Sequence, residues 1–151
     1  MFYIAIVGSR RRTDQDRVKL LVCKLHMSYG NLTIISGGCT GPDLWATDTA
    51  IALGIPVIEH RPVLPAASMP KWAYTRAYYA RNKIIAQECD EMYAFVAADR
   101  TGGTENAIAH AKKLNKRVTV ILVNGSQFTI EPKPTQVGLP LGELKCQTNK
   151  P

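Results

Sequence analysis

The fold is decided by residues 32–43, which read LTIISGGCTGPD. The run from Leu32 to Ile35 is short and apolar, as expected of a strand buried on both faces of a parallel sheet. Three glycines follow within residues 37–41. Pro42 then stands where a first helical residue is favoured, because that position needs no N–H partner. The stretch predicts a strand, a glycine-rich turn and a helix in immediate succession.

The same alternation continues on both sides of this stretch. Apolar runs rich in β-branched residues predict four further strands, at 2–7, 55–58, 92–97 and 118–123. Apolar side chains at helical spacing predict four helices, which start near residues 13, 42, 71 and 104. Strands joined by helices imply parallel pairs with right-handed crossovers. The predicted fold is therefore α/β, a Rossmann-like three-layer sandwich with a mostly parallel, five-stranded sheet.

The length and composition fit one ordinary domain. A chain of 151 residues with 46% apolar residues can bury a single core. We expect this domain to occupy residues 1–123. Residues 124–151 contain four prolines and three glycines with little periodicity, which predicts an extended, proline-rich tail.

Charge and composition also narrow the class of protein. No apolar run approaches the roughly 18 residues of a membrane span, and the first eight residues lack a basic leader, so we expect a cytoplasmic protein. The four cysteines and three histidines are scattered. Without CxxC or HxxxH spacing we expect reduced thiols, no metal and no cofactor. The net charge of +7 favours anionic partners.

Three strand-to-helix turns carry residues suited to an anion, and all fall on the carboxyl edge of the predicted sheet, where such folds bind ligands. In the first turn, Gly8 permits close backbone approach, Ser9 supplies a hydroxyl, and Arg10 presents a fork for phosphate. The second turn spans residues 36–43 and directs backbone N–H groups toward the positive end of a helix dipole. Its predicted ligand-binding residues are Gly37, Gly38, Thr40, Gly41 and Asp43, the last as a ribose partner or a helix-dipole partner.

The third turn, residues 99–105, repeats this anion-binding pattern. Its predicted binding residues are Gly102, Gly103 and Thr104. Asp99 and Glu105 are the carboxylates best placed for acid–base or electrostatic catalysis at a sugar. An acidic residue in the first turn of a helix also stabilises the helix dipole. Arg81 and Asn82, on the helix between these turns, are predicted ligand contacts. Four nearby aromatic residues fit either base stacking or a cover over the core: Trp72, Tyr74, Tyr78 and Tyr79.

Taken in order, several motifs share their spacing with a known group of proteins. They are Gly8-Ser9-Arg10, residues 36–43, Gly54-Ile55-Pro56-Val57, Arg81-Asn82, Cys89-Asp90 and Gly103-Thr104. This pattern covers about residues 3–123 and resembles the SLOG superfamily, within it the small stand-alone YspA-type (DUF2493-like) proteins. The resemblance implies a Rossmann-like fold that binds nucleotides or nucleotide-derived ligands, and a homodimer.

Two branches of the superfamily suggest different activities. LOG enzymes cleave nucleoside 5′-monophosphates at the N-glycosidic bond with an Arg and a Glu, and by this resemblance Arg81 matches the Arg. The LOG Glu stands two or three residues after a Gly-Thr, where this chain has Asn106 and Ala107, so Glu105 is the nearest candidate. The DprA branch binds single-stranded DNA, which would suit the positive charge.

The sequence leaves three functions open. The first is nucleotide binding, with hydrolysis of a nucleoside monophosphate by Arg81 and Glu105 as its extension. The second is binding of single-stranded nucleic acid without catalysis, favoured by Arg10-Arg11-Arg12 and the basic stretch 112–117. The third is a dinucleotide oxidoreductase, since residues 36–41 approach GxGxxG. That motif lacks its first glycine and follows the second strand instead of the first.

Overall fold

The computed structural model describes residues 1–134 of the chain. This part contains six strands and four helices in alternating order. They are β1 (Phe2–Gly8), α1 (Gln15–Ser28), β2 (Leu32–Ser36), α2 (Pro42–Ala52), β3 (Val57–Glu59), α3 (Lys71–Glu88), β4 (Glu91–Phe95), α4 (Gly103–Lys113), β5 (Arg117–Ile121) and β6 (Gln127–Ile130).

The sheet has the strand order β3-β2-β1-β4-β5-β6. β1 to β5 are parallel, and in the centre Ala5 lies between Ile35 of β2 and Met92 of β4. The predicted Rossmann-like α/β class is confirmed. Because strand order reverses at β1, the connections that follow β1 and β4 run to opposite faces of the sheet and leave a crevice between them.

The strand count differs from the prediction, because β6 pairs antiparallel with β5. This strand lies inside residues 124–151, which the sequence predicts as a tail. A tight turn at 124–126, with the N–H of Leu122 donating to the carbonyl of Ser126 at 2.8 Å, folds the chain back. The strand has only four residues, three of them exposed, so no apolar run marks it. The rest of the predicted tail, residues 135–151, lies outside the described residues.

Each face of the sheet is covered by two helices. On one face, α1 and α2 pack Val18, Val22 and Ala46 against side chains such as Ile4 and Ile6. On the other face, α3 and α4 supply a second set of buried side chains, which includes Ile85, Ala86, Ala107, Ile108 and Ala111. Alternate residues of β1 therefore serve both cores, which is the geometry of a three-layer sandwich.

The predicted boundaries are shifted by a few residues. β3 begins at Val57, since Pro56 has no N–H to donate and only its carbonyl is bonded, to the N–H of Ile34 at 3.0 Å. α3 spans Lys71–Glu88 as predicted, and the chain between β3 and α3 forms no regular element. Among residues 1–134, no helix combines the length and apolar character needed to span a bilayer.

Candidate functional site

A cleft of about 450 Å³ opens at the carboxyl ends of β1 and β4. Its volume falls in the range of small-molecule sites. Three segments supply most of its lining: the turn after β1, residues 75–82 of α3, and the start of α4. The sequence-predicted residues that line it are Gly8, Ser9, Arg10, Asp43, Arg81, Asn82, Gly102, Gly103 and Thr104. Those that do not are Gly37, Gly38, Thr40, Gly41 and Glu105.

The turn after β1 is held tightly against α2. The N–H of Ser9 donates to the carbonyl of Phe95 at 2.9 Å, which joins the ends of β1 and β4. A side chain at Gly8 would overlap the ring of Pro42, the first residue of α2. Glycine is therefore required here for close packing of a helix on a strand. The turn after β1 is a rigid wall of the cleft.

The glycine-rich turn 36–41 is bonded internally, which differs from the predicted anion site. The N–H of Gly37 donates to the Asp43 carboxylate at 3.1 Å, and the N–H of Gly38 donates to the Ser36 hydroxyl at 3.1 Å. Because these two amides already have acceptors, they do not point to an external anion. Cys39 is the residue of this turn that lines the cleft. The turn is a scaffold for its neighbours.

Asp43 connects the first two turns. Its carboxylate accepts one hydrogen bond from the N–H of Gly8 at 3.0 Å and another from the N–H of Gly37. The residue is 4% exposed, and burial raises its pKa to about 6, against the opposing effects of Arg81 and the two amides. Both oxygens are thus used within the protein, which explains the residue better than a ribose contact does.

Arg81 is buried at the floor of the cleft with 7% exposure. Its Nη1 donates to the carbonyl of Gly37 at 2.6 Å, and its Nε donates to Asn82 Oδ1 at 3.0 Å. Nη2 lies 3.4 Å from Cys39 Sγ, and Nη1 also donates to the carbonyl of His60 at 3.4 Å. A guanidinium has five N–H donors, so one Nη2 hydrogen has no acceptor within residues 1–134. Arg81 therefore holds the second turn in place and offers at most one hydrogen to a ligand.

The start of α4 lines the cleft with three residues whose amides have no acceptor in the described part of the chain. No acceptor within residues 1–134 meets the N–H groups of Gly102, Gly103 or Thr104, and the helix has no side-chain cap. The first amides of a helix have no intrahelical partner and lie at the positive end of its dipole. Asn82 positions this turn, because its Nδ2 donates to the carbonyl of Gly103 at 3.1 Å and to Asn106 Oδ1 at 3.2 Å.

The three consecutive arginines after β1 have three different environments. Arg12 is buried and donates to the carbonyls of Val96 and Ile121, at 2.9 and 2.8 Å. Arg11 forms a two-pronged pair with Asp99 at 2.8 and 2.9 Å. Arg10 forms no salt bridge within the described part of the chain.

Arg10 is accordingly the cation that the cleft leaves open to an anion. Its side chain rests 3.8 Å from Cys39 Sγ. Hydrogen bonding and charge interaction with Cys39 raise the pKa of its guanidinium, with a smaller contribution from Tyr78. Arg10 thus stays positively charged at every physiological pH.

The two carboxylates predicted for chemistry are engaged in ion pairs. Glu105 pairs with Arg100, with Nη2 to Oε1 at 2.8 Å, and lies outside the lining of the cleft. Asp99 pairs with Arg11, and hydrogen bonds from Arg11 and Thr101 hold the pKa of Asp99 far below its usual value. The geometry brings Arg81 into the cleft and leaves Glu105 outside it.

Thr75 lines the cleft and was missed by the sequence reasoning. It lies three, four and seven residues before Tyr78, Tyr79 and Asn82, so the four share one face of α3. That spacing was a usable signal. Arg11 and Thr101 also line the cleft, and no sequence pattern distinguishes Arg11 from the buried Arg12 beside it.

The cysteines and acidic residues do not form a second centre within residues 1–134. No group of three or more potential metal-ligating side chains occurs in this part of the chain. Cys23, Cys39 and Cys89 are free thiols. Burial raises the pKa of Cys89 to about 11, so this thiol is unreactive. Cys146 lies outside the described residues.

Comparison with known proteins places the fold. No family model and no curated protein sequence matches the chain. DNA processing protein A from Helicobacter pylori, whose single-stranded DNA binding mode has been described, shares the fold with a TM-score of 0.63 at 18% identity, over 97% of this chain and 72% of that one. DNA processing protein A from Streptococcus pneumoniae gives 0.63 at 22% identity, over 99% of this chain and 58% of that one.

A third solved structure differs in the ligand it binds. The molybdenum cofactor binding protein from Rippkaea orientalis gives a TM-score of 0.64 at 19% identity, over 80% of this chain and 76% of that one. At these identities the likeness shows the fold alone. It agrees with the fold expected from the SLOG resemblance, whose DprA branch is represented twice. The predicted homodimer stays a prediction.

Proposed function

We propose that this protein binds a nucleotide or a nucleotide-derived ligand in the cleft, with the phosphate at the start of α4. The observation that carries the proposal is the set of three backbone amides, at Gly102, Gly103 and Thr104, that have no acceptor in residues 1–134 and line the same cleft as Arg10. A helix N-terminus beside an unpaired arginine suits a phosphate group in charge and in hydrogen bonding.

The rest of the cleft suits the remainder of such a ligand. Tyr78 and Tyr79 line it from α3 and offer flat apolar surfaces for a base. One hydrogen of Arg81 Nη2 is a donor for a sugar, and the Thr75 hydroxyl, which donates to the carbonyl of Lys71 at 3.3 Å, is an acceptor. The proteins of similar fold from Helicobacter pylori and Rippkaea orientalis bind single-stranded DNA and a molybdenum cofactor, so a ligand at this fold has precedent.

Hydrolysis of the ligand is a separate part of the proposal. The three acidic residues nearest the cleft are each occupied: Asp43 by two amides, Asp99 by Arg11, and Glu105 by Arg100. Cleavage of an N-glycosidic bond by Glu105 requires this carboxylate to leave Arg100. Free adenine released from AMP by the wild type but not by Glu105→Ala supports that role, and an active Glu105→Ala variant removes it.

Differential scanning fluorimetry tests the binding proposal. With adenosine, AMP, ADP and GMP at 1 mM, we expect the phosphorylated compounds to raise the melting temperature by several degrees and adenosine to have less effect. A ligand at about 100 times its Kd adds about 2.7 kcal/mol of stability. No stabilisation by any phosphorylated nucleoside would count against the proposal.

Two variants locate the phosphate. Gly103→Asp adds a carboxylate at the start of α4, where a Cβ meets only Asn82 Nδ2 at 3.9 Å. The acidic side chain stabilises the helix dipole but competes with a phosphate, so stability is kept and the nucleotide effect is lost. We expect Arg10→Gln to raise the Kd for the nucleotide about tenfold. Lys19→Gln, on the exposed face of α1, serves as the matched control and leaves binding unchanged.

A second candidate function is binding of single-stranded nucleic acid, favoured by the outer face of α3. Trp72, Arg76, Tyr79 and Lys83 are all exposed and follow the i, i+4, i+7, i+11 spacing of one helical stripe. Alternating aromatic and basic side chains provide base stacking and phosphate contacts without sequence preference. The Helicobacter pylori protein of similar fold binds single-stranded DNA.

Fluorescence anisotropy with labelled oligo-dT separates the two functions. If the stripe binds DNA, affinity falls steeply between 50 and 200 mM NaCl, because bound counterions are released. Trp72→Ala and Tyr79→Ala each weaken binding, by about 1–3 kcal/mol per stacked base. Phe128→Ala, an exposed aromatic on β6, is the control. A flat salt response rejects this candidate and leaves the nucleotide proposal untouched.

A further inference from the structure

Cys39 is a thiol on the wall of the cleft to which nucleotide binding assigns no role. Of the three cysteines within residues 1–134, it alone lines the cleft. Its side chain is partly exposed, whereas Cys89 is buried and Cys23 lies on α1. A reagent that enters the cleft therefore meets this sulfur.

Two guanidinium groups lie next to the sulfur. Nη2 of Arg81 is 3.4 Å from Cys39 Sγ, and Nη2 of Arg10 is 3.8 Å from it. Neither arginine forms a salt bridge within residues 1–134. Because no described carboxylate pairs with either group, two positive charges meet at one thiol and attract an anionic reagent to it.

Arg81 has an unsatisfied donor beside this thiol. The residue is 7% exposed, and an arginine so deeply buried normally has an anionic partner. Four of its five N–H groups have acceptors, which are Asn82 Oδ1, the carbonyls of Gly37 and His60, and Cys39 Sγ. The fifth, on Nη2, has none within residues 1–134. Since Arg81 and Cys39 both line the cleft, a carboxylate brought to the thiol can accept from this donor.

We propose that Cys39 is a site of thiol–disulfide exchange with the disulfide of a small carboxylate-bearing thiol, and that the mixed disulfide closes the cleft to nucleotides. The Cys39 thiol gives its proton to water, and the thiolate attacks one sulfur of the reagent. The S–S bond of the reagent breaks as the new S–S bond forms. The released half leaves as a thiolate and takes a proton from water, so the reagent itself is the oxidant.

The closure follows from where the attached group lies, and this part rests on the proposed nucleotide binding. The group occupies space in a cleft of about 450 Å³, and its carboxylate pairs with Arg10 and Arg81. A phosphate then loses the unpaired cation that the cleft offers. Reduction of the mixed disulfide restores the thiol, so the closure is reversible.

Two disulfides of equal chain length and opposite charge test the exchange on the full chain. They are dithiodipropionate, which carries carboxylates, and cystamine, which carries ammonium groups. Mass spectrometry of peptides from timed digests gives the rate at each cysteine. Each rate is divided by the rate of the same reagent with N-acetylcysteine amide, which removes differences in intrinsic reactivity. We expect dithiodipropionate to react with Cys39 about tenfold faster than cystamine does on this scale.

Arg10→Gln tests the origin of this preference. We expect the variant to lose most of it, while Lys19→Gln, on the exposed face of α1, keeps it. Added salt should also reduce the preference, because the charges are screened. Equal scaled rates for the two reagents, or an unchanged preference in Arg10→Gln, overturn the exchange proposal.

Differential scanning fluorimetry with AMP tests the closure. We expect AMP to stabilise the untreated protein, to have no effect after dithiodipropionate treatment, and to regain its effect after dithiothreitol. In Cys39→Ser the same treatment should leave the response to AMP as it was before treatment. Full stabilisation of the modified protein overturns the closure. If AMP does not stabilise the untreated protein, nucleotide binding and closure both fail, and the labelling rates still decide the exchange.

Discussion

Asp43 and Arg81 are two buried charged residues whose hydrogen bonds are made mainly to the turns around the cleft. Both residue types suggest direct recognition of a nucleotide when read in the sequence. In the structure, Asp43 accepts hydrogen bonds from the N–H groups of Gly8 and Gly37, and Arg81 donates to the carbonyl of Gly37. They hold two turns at a fixed separation. Arg10 and the amides at the start of α4 are left for the anion.

The raised pKa of Asp43 predicts an unusual dependence of stability on pH. The carboxyl has an ordinary pKa of 3.8 and a folded pKa of about 6, so between these values the folded state binds the proton more tightly than the unfolded state does. Stability from this group is therefore gained as pH falls from 7 to 4, by roughly 2–3 kcal/mol. We expect the difference in unfolding free energy between wild type and Asp43→Asn to grow by this amount on acidification.

Urea unfolding of both proteins at pH 4 to 8 measures this difference. Asp99→Asn is the matched control and gives the opposite sign. The pKa of Asp99 is lowered, so its stabilisation is present above the unfolded value and lost below it. A flat difference for Asp43→Asn, or one that shrinks on acidification, would show that Arg81 and the amides outweigh burial.

The neighbouring arginines predict very different costs of substitution. Arg12→Leu removes two hydrogen bonds to buried carbonyls and the pair with Asp14, and we expect a loss of about 2–4 kcal/mol. Arg11→Leu removes a solvent-exposed pair, so we expect a much smaller loss. Denaturant unfolding at pH 7 measures both. Equal losses would contradict the assigned environments.

At the scale of elements, the two sides of the cleft are built on different principles. The turn after β1 is fixed by close packing of α2, whereas the start of α4 projects free amides from a glycine with a φ of +105° at Gly102. One side therefore supplies rigidity and the other supplies binding groups. Asn82 of α3 connects the start of α4 to Arg81, because it donates to the carbonyl of Gly103 and accepts from Arg81 Nε.

Gly8→Ala tests the close packing of α2 against the turn after β1. The added Cβ overlaps the Pro42 ring and lies 3.1 Å from the Phe95 Cβ, so α2 must move away from β1. We expect a loss of about 1–3 kcal/mol, typical of overpacked cores. Gly30→Ala is the control, since its Cβ meets no atom within 4 Å. A Gly8→Ala variant as stable as Gly30→Ala would refute the packing account.

Gly102→Ala tests the backbone conformation at the start of α4. The φ of +105° is strained for alanine even though its Cβ has open space, so we expect a loss of about 1–3 kcal/mol. Gly103→Ala, one residue along and inside the helix, changes stability little or raises it by up to about 1 kcal/mol. Thermal unfolding compares the two. If both substitutions are neutral, the turn does not need its left-handed backbone.

On the scale of the whole molecule, the two cores share the central strand. Ile4 and Ile6 of β1 face α1 and α2, while Ala5 and Val7 face α3 and α4. A loss of packing on one face thus removes the support of the other. Exposed basic side chains lie on both faces of the molecule, with Arg76 and Lys83 on α3 and Lys19 and Lys24 on α1.

This shared strand predicts a single cooperative unfolding unit. Native-state hydrogen exchange should give the same free energy of opening at Val22 in α1 and at Ala111 in α4, both buried, with the same dependence on urea. A lower value for one layer, by more than about 1 kcal/mol, would show that the layers open separately. The amides of Val63 and Leu64, in the irregular chain between β3 and α3, provide the low-protection reference.

Much of the fold follows from local patterns. The buried runs, the helical spacings and the helix-starting Pro42 determine five strands and four helices, because short-range propensity and burial period act within a few residues. These local patterns do not predict the edge strand β6, because an exposed strand of four residues is stabilised by its pairing with β5 and not by its own composition. The observed strand boundaries differ from the predicted ones where a proline or a reversal of the chain ends the pairing of two strands.

The sequence by itself determined that glycine turns and arginines meet at one edge of a parallel sheet, because parallel strands all end on the same side. Only the tertiary structure decided which of these groups remain free. Gly8 and Asp43 are 35 residues apart, and Gly37 and Arg81 are 44 apart. Hydrogen bonds between such distant residues depend on three-dimensional placement. They engage the Gly8 amide and the Gly37 carbonyl, whereas the amides of Gly102, Gly103 and Thr104 have no acceptor within residues 1–134.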